Sequence, residues 1–109
     1  MVYFWASWCD GCEAENPNIV RLYNTFKERG FDIYAVSLDK DRSEWLKAIK
    51  KHEFTWTNVS DLREWESEAV ETYNVNRTPT IYLLNTKGRI MAKNLRGKEL
   101  EMKLNELLN

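Results

Sequence analysis

Cys9 and Cys12 are the only two cysteines of the chain, and Asp10 and Gly11 stand between them. The stretch around them, FWASWCDGCEAENP, runs from an apolar segment straight into an acidic one. If the acidic part is helical, cysteines three residues apart share one face of its first turn. Their Cα atoms then fall within the distance a disulfide spans. Cys9 would stand at the helix N-terminus, where unpaired N–H groups and the helix dipole favour a thiolate. A lowered thiol pKa makes Cys9 the nucleophile of thiol–disulfide exchange. Cys12, one turn further in and more buried, is suited to resolve the mixed disulfide that results. Glu15 follows one turn beyond Cys12. That spacing lets its carboxylate face either the sulfurs or the solvent.

Two other uses of the cysteines compete with exchange. Structural zinc asks for four protein ligands, and this chain offers two Cys and one His. His52 ends a charged segment, where it reads as a C-terminal helix cap or a solvent-facing side chain. The remaining reading is a pair of inert thiols, which the strand–Cys-x-x-Cys–helix order disfavours. No metal or cofactor is expected.

The elements that must position this turn are legible from pattern. Residues 2–6 are continuously apolar, β-branched or aromatic, as in a strand buried on both faces. A helix runs from the turn to about Arg29, with Ile19, Leu22, Tyr23 and Phe26 as its apolar stripe. Pro17 should kink or restart it, and Gly30 should end it. FDIYAVSLD is a second buried strand. RSEWLKAIKKH is a second helix with Trp45, Leu46 and Ile49 inward. FTWTNVSDL is irregular or extended. EWESEAVETYNV is a shorter helix with Trp65, Ala69, Val70 and Tyr73 on one side. TPTIYLLN and RIMAK are strands joined by the turn TKG, and GKELEMKLNELLN is a closing helix with Leu100, Leu104 and Leu107 inward. The order β-α-β-α-α-β-β-α implies a parallel pair with a right-handed crossover and an antiparallel last pair. The expected fold class is α/β, a small mixed sheet with helices on both faces.

A chain of 109 residues is one domain, and a 43% hydrophobic fraction is enough for a single core. A net charge of −1 gives no broad attraction to nucleic acid or anionic membrane. No apolar run is long enough to span a bilayer. The strand-like run begins directly after Met1, which suggests a piece of a longer chain whose first strand lies at its edge. The absence of a targeting segment therefore says little about compartment.

FWASWCDGC followed by EAENP, with RTPT much later, resembles the thioredoxin superfamily. The likeness is strongest to its TlpA/ResA branch of extracytoplasmic thiol–disulfide oxidoreductases. It covers nearly the whole chain, 1–109, as one thioredoxin-like domain of the kind found at the C-terminus of multidomain bacterial proteins. The resemblance implies an enzyme that exchanges disulfides with protein substrates through Cys9 and Cys12, acting as a reductase. It implies a periplasmic or otherwise extracytoplasmic location, a membrane or periplasmic electron donor, and a monomer. Trp8 matches the exposed aromatic beside the nucleophile, and Trp5 the aromatic beneath the active-site loop. Pro79 matches a cis-proline facing the disulfide, and Thr78 the residue whose backbone pairs with extended substrate. Glu15 matches an acidic residue proposed for proton transfer.

Three departures bear on mechanism. Tyr3 stands where thioredoxin has a buried Asp, so that proton route is missing. Gly11 replaces the usual proline and frees the backbone. Asp10 adds a negative charge beside Cys9, opposing thiolate formation. Trp45, Trp56 and Trp65 read as core. Two rival functions are weighed. A peroxiredoxin-like peroxidase generally carries Thr three residues before its reactive Cys, and Ala6 holds that place. A non-catalytic module would use Trp8 and Pro79 as a peptide-binding rim with incidental thiols.

Overall fold

The structure, a computed structural model, describes residues 1–108. Strand β1 (Val2–Trp5) is buried along its whole length, as its apolar run demands. It lies at the centre of a five-stranded mixed sheet of order β3-β2-β1-β4-β5. Strand β2 (Tyr34–Ser37) and then β3 (Thr57–Val59) extend it in parallel on one side. Strand β4 (Thr80–Leu84) pairs antiparallel on the other side, followed by β5 (Ile90–Lys93). Helices flank this sheet, which is the expected class with one strand more. The extra strand is β3, in the segment read as irregular or extended. It is short and half exposed, so no alternation of apolar and polar residues marks it.

Helix α1 (Asp10–Phe26) is one continuous element that contains Pro17, so it does not restart there. Burial of Cys12, Asn16, Ile19, Leu22 and Phe26 along one side holds it, because packing rather than propensity dominates helix stability in a folded chain. A 3-10 turn at Lys27–Arg29 follows, and Gly30 closes it in the left-handed region at φ 97°. Helix α2 (Arg42–His52) starts at Asp41, whose side chain accepts the Glu44 N–H. It buries Trp45 and Ala48, while Leu46 is exposed and not inward as expected.

The expected helix over 64–75 is two pieces. Glu64–Glu66 is a 3-10 turn, and α3 (Glu68–Tyr73) begins only after Ser67, whose hydroxyl caps it at the Ala69 N–H. Ser67 therefore breaks the helical register, and Trp65 falls outside it and is exposed, as is Tyr73. The core reading of Trp65 is thus corrected, while Trp45 and Trp56 are buried. Helix α4 (Gly97–Leu108) buries Leu100 and Leu104.

An aromatic spine runs beneath the β1–α1 turn. Trp5 meets Phe54 edge-to-face at 4.9 Å, and Phe54 stacks on Trp56 at 4.5 Å and on His52 at 5.6 Å. Trp56 in turn meets Tyr23 of α1 at 5.1 Å. Such pairs contribute about 0.5–1.5 kcal/mol each beyond the area they bury.

Candidate active site

The turn between β1 and α1 carries the two cysteines. Cys9 is the N-cap of α1, with extended backbone at φ −91° and ψ 111°. Its Sγ accepts the Cys12 N–H at 3.1 Å, so the sulfur takes the role a Ser or Asp side chain has in an ordinary cap. Cys9 and Cys12 form a disulfide with Cα atoms 5.2 Å apart. Cys12 is sealed, while Cys9 keeps 7% exposure. Asp10 and Gly11 are exposed above them.

The Thr78–Pro79 peptide bond is cis, and Pro79 is buried against this turn. A Cβ on Gly11 would lie 3.2 Å from Pro79 Cδ, so the glycine lets the two loops close on each other. Arg96 donates to the Pro79 carbonyl at 3.3 Å and props the proline loop from behind. No sequence pattern singled Arg96 out, because its partner is a backbone atom.

Asp39 is the second residue the sequence did not single out. It lies just past β2 and is 1% exposed, yet it carries a carboxylate. One oxygen accepts the Ser7 N–H at 3.1 Å and the Ser7 hydroxyl, and the other accepts the Ser37 hydroxyl. A buried carboxylate persists only when donors surround it, and here they come from Ser7 of the turn and Ser37 of β2. Ser7 lies between Trp5 and Cys9, so Asp39 fixes the path of the chain into Cys9. The signal was present in SLD at the end of a buried strand, where a charged residue needs partners.

Tyr3, on β1, is fully buried. Its hydroxyl donates to Asn16 Oδ1 at 2.6 Å. Burial, reinforced by the neighbouring Glu15 charge and opposed by Arg96, pushes the Tyr3 phenol far above its ordinary value. The phenol therefore stays protonated and neutral. Glu15 is half-buried, and its Oε1 accepts from Gly97 N at 2.9 Å and from Asn18 Nδ2 at 3.1 Å. It thus caps the start of α4 and ties it to α1.

His52 neither caps its own helix nor faces water. It stacks on Phe54 and meets Glu13 Oε2 at 3.0 Å, while Lys51 meets Glu13 Oε1 at 2.6 Å. Hydrogen bonding to Lys51, then to His52, holds the Glu13 carboxyl below its usual range.

On the outer side, Trp8 is 50% exposed and Trp65 is 42% exposed, with ring centroids 6.4 Å apart. The sequence expected an exposed aromatic at Trp8 but gave it no partner.

A parallel β-α-β start, a Cys-x-x-Cys N-cap and an opposing cis-proline define a thioredoxin fold with a dithiol site. The profile of the thioredoxin-like family matches residues 1–90. A thiol-disulfide oxidoreductase from Bacteroides fragilis superposes with a TM-score of 0.91 at 39% identity, over 98% of this chain and 79% of that one. The thioredoxin domain of a thiol-disulfide oxidoreductase from Bacteroides vulgatus gives 0.90 at 35% identity, over 99% and 77%. The thiol-disulfide oxidoreductase ResA of Oceanobacillus iheyensis is 36% identical over 90 residues, which are 83% of this chain and 45% of that protein. The chain spans about half the length of the curated relatives it matches. It belongs to the thioredoxin-like family.

Proposed function

We propose that this domain reduces disulfides of protein substrates outside the cytoplasm, with Cys9 as nucleophile and Cys12 as resolving thiol. The observation that carries the reading is Cys9 as the N-cap of α1, its sulfur already accepting an amide N–H in a turn whose Gly11 packs against Pro79.

In the reduced protein the same N–H and the helix N-terminus stabilise a Cys9 thiolate. Asp10 opposes this, but its carboxylate is exposed and screened by water and salt. The thiolate attacks one sulfur of the substrate disulfide. A Cys9–substrate bond forms, the substrate S–S bond breaks, and the departing thiolate takes a proton. Cys12, as thiolate, then attacks Cys9 Sγ, closing the Cys9–Cys12 disulfide and releasing the second substrate thiol. The domain loses two electrons and two protons, and the substrate gains both. A membrane or periplasmic dithiol donor restores the reduced form.

Trp8, Thr78 and Pro79 receive the substrate, with the Thr78 backbone pairing to an extended segment. Trp5, Asp10 and Gly11 shape the turn, and Glu15 serves as proton carrier for Cys12. Among the described residues, the helix N-terminus and the Cys12 N–H are the groups that stabilise a Cys9 thiolate, which favours the reductase direction. The potential is expected nearer thioredoxin's about −270 mV than DsbA's about −120 mV.

Dithiothreitol-driven insulin reduction tests the function. The wild type should accelerate it, and Cys9→Ser should return the rate to background. A wild type with no exchange activity would overturn the reading.

A further inference from the structure

Trp65 is the feature that the fold leaves unexplained. It is large, apolar and 42% exposed, although the chain has a core able to take it. Its loop is built to hold it outward. Leu62 at φ 60° and Glu64 at φ 51° both lie in the left-handed region, and neither is glycine. Residues forced there persist only where surrounding contacts over-determine them, and such positions concentrate at ligand-contacting sites. The contacts are present. Ser60 Oγ donates to the Ser37 carbonyl at 2.9 Å and accepts the Leu62 N–H at 3.1 Å. Asp61 Oδ1 accepts the Arg63 N–H at 3.2 Å, and Glu66 N and Ser67 N close the 3-10 turn onto Arg63 and Glu64. Ser37 is also a donor to Asp39, so the loop carrying Trp65 and the turn carrying Cys9 share one anchor.

What Trp65 meets is Trp8, the residue immediately before the nucleophile, with the rings tilted by 53°. We propose that Trp65 and Trp8 form a two-indole ledge that grips an apolar side chain of the polypeptide segment whose disulfide Cys9 attacks. The proposal deepens the function above and rests on it. Trp65 is then a specificity-determining residue for protein disulfides. The occupant follows from continuity, since Trp8 is the residue immediately before Cys9. A second copy of the chain is a poor fit by area. Half of two indoles is about 200 Å², against about 800 Å² that each partner gives a stable interface. Beyond Trp65 the ledge opens into a groove lined by Lys40, Leu62, Arg63, Glu64 and Glu66. Both charge signs alternate there, which suits the polar main chain of a peptide better than a bare anion.

The test compares Trp65→Ala and Trp65→Phe with the wild type on two substrates, insulin and glutathione disulfide. The second offers the same bond with almost no polypeptide. For Trp65→Ala, kcat/KM on insulin should fall about tenfold, mostly through KM, as for truncation of an interface aromatic. Its rate on glutathione disulfide should stay within about twofold, and its reduction potential and thermal midpoint should not move. Trp65→Phe should recover most of the insulin activity. Equal losses on both substrates, a shifted potential, or no loss on insulin would each overturn the proposal. So would a dimeric wild type that Trp65→Ala makes monomeric, which would assign the ledge to a second copy. A wild type inactive on both disulfides would instead defeat the exchange reading itself.

Discussion

Trp5 and Trp8 stand three residues apart on either side of the same turn, yet Trp5 is sealed and Trp8 is half in water. The contrast repeats with other side chains. Asp39 is buried beneath the turn and Asp10 is exposed above it. Cys12 is fully closed off and Cys9 slightly less so. The site therefore has a floor and a rim made from the same residue types. The floor is closely packed: Trp5 on Phe54, Asp39 on Ser7 and Ser37, Cys12 inside α1. The rim keeps its groups available. Floor residues should govern whether the turn exists, and rim residues which partners it accepts.

That division predicts a graded set of effects. Trp5→Ala removes a fully buried indole and should cost about 3–5 kcal/mol, read as the chemical denaturation midpoint. Trp8→Ala should shift that midpoint little and lower insulin turnover instead. If both destabilise equally, the division fails.

Asp39→Ala strands one amide and two hydroxyl donors around the turn and should cost about 3 kcal/mol, since each unsatisfied buried group costs about 1–3. Asp10→Ala should leave stability nearly unchanged and lower the thiol pKa of Cys9, measured by the pH dependence of its alkylation.

Tyr3→Phe leaves Asn16 Oδ1 without its donor and should cost about 1–2 kcal/mol. It should not alter the pH profile of exchange, because the phenol is neutral throughout. Glu15→Gln keeps an acceptor for the Gly97 N–H, so stability should hold. The same variant should change the pH profile if Glu15 carries a proton for Cys12. An unchanged profile would confine Glu15 to capping α4.

The smallest effect belongs to Glu13. Its carboxyl is depressed by Lys51 and then His52, so its contribution is present above the unfolded-state pKa. It is lost as pH falls through the lower folded-state value. Glu13→Gln should remove that acid-side part of the melting curve. The difference should be small and vanish in high salt, because the pair is exposed.

How much of this was legible in the sequence follows the same line. Residues with a periodic or motif-level signature were readable: the β1 run, the α1 stripe, Cys9 and Cys12, and the Thr78–Pro79 pair. Trp65 was misread because its spacing to Ala69 and Tyr73 is helical, while the one residue that resets the register, Ser67, is a cap. Asp39 and Arg96 stayed hidden because their partners are reached only after the chain folds. Glu15 was picked out by position, but its partner at the start of α4 is far away in sequence. Strand β3 was missed because an edge strand of three residues has no room for a period.

The central claim, Cys9 as attacking sulfur and Cys12 as resolving sulfur, has one direct test. Reduced Cys12→Ser protein is mixed with a disulfide-bonded protein substrate, quenched with alkylating reagent, and analysed by peptide mass spectrometry. A stable mixed disulfide at Cys9 is predicted, dispersed by added dithiothreitol, with no such adduct at Cys12 in the reciprocal Cys9→Ser protein. An adduct that forms at Cys12 instead, or no adduct in either variant, would contradict the assignment.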